Sequence, residues 1–253
     1  MIRKIALRRR YSHKNQEGAA APGIYHRIRT SVTRFAGYAA LLTTAGLSLS
    51  YFTQVKAESE ESQSKSEESQ SKTGLKIAPV PLNLQGKNVE LVGYGSYLVN
   101  AVAGCNSCHS PSQTQFLPGG NPYFGQKPTR SNPDVYLGGG HDFGQLIPGT
   151  ANIVSRNLTP DKTGLPAGGR TYDEFRTIMI TGVDLDKAHP TCVGGPNPGC
   201  LLAPFDGTLL QIMPWPYFSN MKERDIRAIY EYLKAIPCIS GPPAPSILHN
   251  DCQ

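Results

Sequence analysis

The pentapeptide CNSCH at residues 105–109 restricts this chain more than any other stretch. Two thiols three residues apart, with an imidazole directly behind the second, serve three chemistries: a redox dithiol, half of a zinc site, or the covalent anchor of a haem. A redox dithiol belongs after a strand in a βαβ setting. Here the motif follows a short helical pattern, and no βαβ pattern surrounds it. Zinc needs further ligands at paired spacing, and Cys192 and Cys200 stand too far apart to form a second Cys-x₂₋₄-Cys pair. The haem reading accounts for the spacing itself. Each thiol adds across one vinyl group of a porphyrin edge, and two intervening residues let about one turn of chain span both vinyls. The motif then implies one haem c, bonded through Cys105 and Cys108, with His109 as an axial ligand of the iron.

The formal net charge of +6 would suit a nucleic-acid or anionic-membrane partner, but its distribution argues otherwise. Residues 1–34 carry nine Lys/Arg and one Glu, whereas residues 73–253 hold thirteen charges of each sign. The folded part has no basic excess to attract phosphate, and no nucleic-acid partner is expected. The basic front precedes an uncharged, moderately apolar run, FAGYAALLTTAGLSLSYF at 35–52, with small residues Val55 and Ala57 behind it. Residues 1–57 therefore read as a targeting segment: a signal peptide, or, if it is kept, an anchor tethering the chain to the membrane through 35–55. Both readings export the remainder, to the periplasm or the outer face of the cytoplasmic membrane, where haem c attachment takes place. SEESQSK occurs twice, at 59–65 and 66–72, and cannot bury apolar surface. Residues 58–86 are expected to be a disordered Ser/Glu/Gln/Lys linker.

From residue 87 to 253 the chain reads as one mainly α domain with sparse helical patterning and many Gly and Pro residues. One helix follows Asn88 as N-cap and ends at Gly104, just before Cys105. A second starts from the capping box Thr171–Glu174 and ends at Gly182. A third is expected from Asn220, with Ile226, Ile229, Tyr230 and Leu233 on one face, and Pro237 stops it. No strand pattern stands out in the long loops between the first two. Acidic residues of 173–186 read as a solvated face. So little regular structure buries little core, and a large apolar cofactor would supply the rest.

A six-coordinate iron needs a second ligand. Met213 lies in QIMPWPYF, where Pro214 and Pro216 stiffen the loop and could hold a thioether at a set distance. Met179 and Met221 fall on helix patterns, where packing is the usual role. His141 and His189 remain as alternatives to Met213.

The segments GYGSYLVNAVAGCNSCH, NLTPDKTGL, YDEFRTIMITGVD and MPWPYFSNMKERDIRAIYEYLKAIP occur in that order. Together, over about residues 88–237, they resemble the monohaem c-type cytochrome domains that serve as subunits or partners of periplasmic alcohol or gluconate dehydrogenases. The resemblance implies a cytochrome c fold, with few helices and long loops wrapped around one covalent haem. It implies Cys105 and Cys108 as thioether positions, His109 and Met213 as axial ligands, and Arg156, Asn157 and Trp215 as contacts to the haem propionates or pocket wall. It further implies a one-electron carrier rather than an enzyme, working with a redox protein such as a quinoprotein or flavoprotein dehydrogenase. The rival is a haem enzyme or a gas or redox sensor whose sixth position opens. Two stretches depart from the pattern: residues 187–208, an inserted loop, and residues 238–252, a tail. Each holds two cysteines, and in an exported protein these suggest two disulfides. Three pairings exist, of which the local ones, Cys192–Cys200 and Cys238–Cys252, are favoured.

Overall fold

Alternating Glu and Lys four residues apart make the SEESQSK repeat a better helix former than its composition suggests. Glu61 pairs with Lys65 at 2.7 Å and Glu68 with Lys72 at 2.6 Å, each with the acid on the N-terminal side. The computed structural model describes residues 61–253 apart from 63 and 245, and residues 64–77 form a helix, α1. Residues 1–57, expected to be a targeting segment, lie outside the described residues. No helix among the described residues is long and apolar enough to cross a membrane.

The expectation of a disordered linker is corrected over 64–77, because α1 docks on the next helix through small residues. Buried Ser71 donates to the Glu90 carbonyl at 2.9 Å, and Ser96 donates to the Gly74 carbonyl at 2.7 Å. A Cβ on Gly74 would lie 1.9 Å from the Gly93 carbonyl oxygen, so the two backbones touch. An ion pair between Glu67 and Arg224 adds to this docking. A reading that counts apolar side chains cannot see a contact made by backbone and hydroxyls.

Helix α2, Val89–Tyr97, begins where the Asn88 side chain accepts the Leu91 N–H at 3.0 Å. It continues into a wider π-helical turn, Leu98–Val102, closed by the Ala103 N–H on the Leu98 carbonyl. Helix α3, Tyr172–Thr181, opens with both halves of the Thr171–Glu174 capping box and ends at Gly182. A short helix α4, Trp215–Phe218, precedes α5, Glu223–Leu233. The start of α5 differs from the expected Asn220 cap. The Asn220 side chain instead donates to the Pro216 carbonyl at 3.3 Å, and its N–H bonds Tyr217, so it closes α4.

Helices α2 and α5 cross at Gly95, where a Cβ would stand 1.9 Å from the Ala228 carbonyl oxygen. Val92, Leu98, Val99, Ile226, Ile229 and Leu233 fill the space around the crossing, and Phe175 and Met179 approach from α3. At its floor the buried Tyr136 hydroxyl donates to Asn100 Oδ1 at 2.6 Å and meets the Tyr232 hydroxyl at 2.8 Å. Polar tips are thereby satisfied inside an apolar core.

Two short antiparallel strands also form, β1 (Asp142–Gln145) and β2 (Asn152–Val154), with a register irregularity between Asp142 and Gln145. No alternation announces them, because Gly144 bends β1 with a φ of 77°.

Disulfides join Cys192 to Cys200 and Cys238 to Cys252, with Cα–Cα distances of 5.0 and 5.8 Å. The tail is also held by Asn250, whose buried amide donates to the Pro160 carbonyl at 2.9 Å. Serine at both 238 and 252 is expected to lower unfolding free energy by about 2–3 kcal/mol through loop-closure entropy. Urea titration of the double variant checks this, and a change under about 0.5 kcal/mol would mean that the hydrogen bonds alone hold the tail.

Candidate functional site

The motif chain turns sharply after Gly104, whose φ is 60°. Cys105–Ser107 form one tight turn, with the Cys108 and His109 N–H groups both bonding the Cys105 carbonyl. A turn of this kind sets residues three apart on one side, so both sulfurs and His109 border the same cleft. Neither sulfur is in a disulfide. Burial pushes the Cys105 thiol up to about 12, the opposite of what an attacking or metal-binding thiolate requires. Among the described residues no three His, Cys, Asp or Glu side chains cluster to hold a metal ion.

His109 is oriented by its neighbour across the cleft. Its Nδ1 lies 2.8 Å from the Arg156 carbonyl, which can only accept, so Nδ1 carries the proton and Nε2 keeps a lone pair. Burial pushes the imidazole below its usual range, which favours that neutral form. The contact depends on Gly139, with a φ of 77°. A Cβ there would lie 2.6 Å from the Arg156 carbonyl carbon, so a side chain would force the two segments apart.

Met213 faces the same cleft from the loop before α4. Its N–H bonds the Gln211 carbonyl at 2.7 Å, and its own carbonyl accepts the Trp215 N–H at 2.8 Å. Two three-residue turns thus flank it, one centred on Ile212 at φ 69° and one on Pro214 at φ −79°. A β-branched residue in the left-handed region is strained, and such strain is found where a neighbour must be aimed. Met179 also lines the cleft, from the buried face of α3, so two thioethers border it.

About 1150 Å³ of space lies within and in front of the cleft, open solvent included. Val99, Ile153, Leu158, Phe175, Leu209, Ile229 and Leu233 form apolar walls. Of the three residues expected as propionate or wall contacts, only Arg156 borders it. Its guanidinium is already engaged, by Asp184 at 3.4 Å and Asp186 at 3.1 Å. Asp184 is buried, not solvated, since it also accepts the Asp186 and Ala188 N–H groups. Asn157 is corrected to a structural role. Its amide donates to the Ile239 and Leu248 carbonyls and its oxygen accepts from Thr159, so tail pinning uses all its capacity. Trp215 is likewise outside the lining. Its ring lies on Gly182, where a Cβ would stand 2.3 Å from ring atoms, and its Nε1 donates to the Leu210 carbonyl at 3.2 Å. It braces the loop that carries Met213. Of the alternative ligands, His141 is not itself in the lining but stacks on Phe143, which is, whereas His189 borders the cleft directly. Asp184, Leu209 and Leu210 went unread as cleft residues because nothing local marks them.

These residues fit the haem that the motif implies: a large apolar slot, two unpaired thiols at one edge, an imidazole with a free Nε2, and a thioether on a stiff loop. Comparison with known proteins agrees at a coarser level. The chain is 28% identical over 145 residues to the gluconate 2-dehydrogenase cytochrome c subunit of Pantoea cypripedii, covering 57% of this chain and 23% of that one. The chain thus spans under a quarter of that relative's length. No family model matches the chain. No solved structure matches it either.

Proposed function

We propose that this chain is an exported one-electron carrier of cytochrome c fold, with a single haem c bonded to Cys105 and Cys108 and ligated axially by His109 and Met213. The observation that supports it most is the shared cleft. Two free thiols, a neutral imidazole with its lone pair released by the Arg156 carbonyl, and Met213 all border one apolar slot. When bound, the haem supplies an iron that gains or loses one electron. Apolar walls keep water from it, and a thioether ligand favours the reduced form. Ile212, 44% exposed, and Cys108, also exposed, both line the cleft. Such a rim suits transient contact with a redox partner. The similarity to a dehydrogenase cytochrome subunit supports a quinoprotein or flavoprotein dehydrogenase as that partner.

The test is spectroscopic. The matured ferric protein should show the weak far-red band of thioether–iron bonding. Met213→Ala should abolish the band and lower the potential, while Met179→Ala should keep both. Loss of the band only in Met179→Ala would transfer the ligand to α3. Ready binding of carbon monoxide to the unaltered ferrous protein would favour a haem enzyme or sensor instead.

A further inference from the structure

His189 has both ring nitrogens buried and without a hydrogen-bond partner, the one such side chain found among the described residues. Buried polar groups are normally bonded, and an exception calls for an absent partner. His189 borders the cofactor cleft. Asp184 nearby already bonds Arg156 and accepts the Ala188 N–H at 3.1 Å.

The backbone around it is fixed. Gly207 presses on this stretch so closely that a Cβ would stand 2.4 Å from the His189 carbonyl oxygen. The Leu201 N–H bonds the Pro190 carbonyl at 2.9 Å, and the Cys192 N–H bonds Leu201 at 2.7 Å. The Cys192–Cys200 disulfide closes the loop, and the Ala151 N–H ties Cys200 to the start of β2 at 3.1 Å. The backbone thus holds the imidazole's point of attachment beside the cleft.

A largely apolar occupant that carries an acceptor would satisfy the ring. On a haem, the strong acceptors are its two carboxylates. We infer that the disulfide-closed insertion 187–208 presents His189 as a hydrogen-bond donor to a carboxylate of the bound haem, and so tunes the iron. This rests on the haem reading above, while the role of His189 is separate from attachment and ligation.

Wild type, His189→Leu and His189→Gln are matured with haem, and pyridine haemochrome formation is measured first. Absence of haem from the wild type would sink the functional reading itself. With haem present, redox titration reads the inference. An unpaired carboxylate stabilises ferric iron, so His189→Leu should cut the reduced-to-oxidised ratio at fixed potential about three- to tenfold. His189→Gln keeps a donor and should restore most of it. An unchanged ratio in folded, haem-loaded His189→Leu would overturn the inference. If that variant does not mature, nitrogen NMR of the reduced wild type decides. A slowly exchanging His189 ring N–H supports the bond, and a freely exchanging one overturns it. Spectra of two imidazoles on the wild-type iron, lost in His189→Gln, would also overturn it, since His189 would then be a ligand.

Discussion

Alanine at both 105 and 108 is expected to give a protein with no covalently held pigment. Each thioether is a carbon–sulfur bond, so either single variant keeps one link and the double variant keeps none. Acidified acetone should then extract all colour from the double variant and none from the wild type, and intact mass should fall by one haem. Stability should fall as well, because Val99, Phe175, Ile229 and Leu233 would lose the surface that covers them in the cleft. A melting transition lowered by several degrees, with dye binding to exposed apolar surface, is the expected signature. Equal covalent colour in the double variant and the wild type would remove the basis of the proposed function.

Valine in place of Gly95 should destabilise the fold by about 4 kcal/mol or more, among the largest effects of any single change. The added Cβ would lie 1.9 Å from the Ala228 carbonyl oxygen, 2.5 Å from its carbonyl carbon and 2.8 Å from the Tyr232 Cβ. The obstruction is backbone, so no rotamer relieves it, and α2 and α5 must separate. Separation would draw Tyr232 from Tyr136 and Asn100 and leave buried hydroxyls unpaired. Gly86→Ala is the control. Its φ of 68° strains any side chain, but nothing lies within 4 Å, so about 1 kcal/mol is expected. Urea midpoints with unchanged slopes measure both. A Gly95→Val loss no larger than that of Gly86→Ala would mean that the helices yield at this crossing.

Several elements were legible because their causes are local. Asn88 and the Thr171–Glu174 box announced two helix starts, since a cap is a bond across three residues. The same logic misplaced the start of α5, because two neighbouring turns competed for Asn220 and the closing of α4 took it. Residue chemistry named Cys105, Cys108, His109 and Met213, and all four border one cleft. The resemblance also implied Asn157 and Trp215, which hold the tail and brace a loop instead. His189 was noticed only as a spare ligand, since its lack of partners depends on what surrounds it.

What the chain's order of residues determined alone is therefore its short-range chemistry: a two-thiol, one-imidazole turn, the helix caps and the proline-stiffened methionine. Only the tertiary structure decided that a Ser/Glu/Gln/Lys repeat is a docked helix, that Arg156 is spent on two aspartates, and that the His189 ring finds no hydrogen-bond partner among the described residues. Those outcomes depend on which distant backbone arrives alongside, and a local pattern carries no record of it.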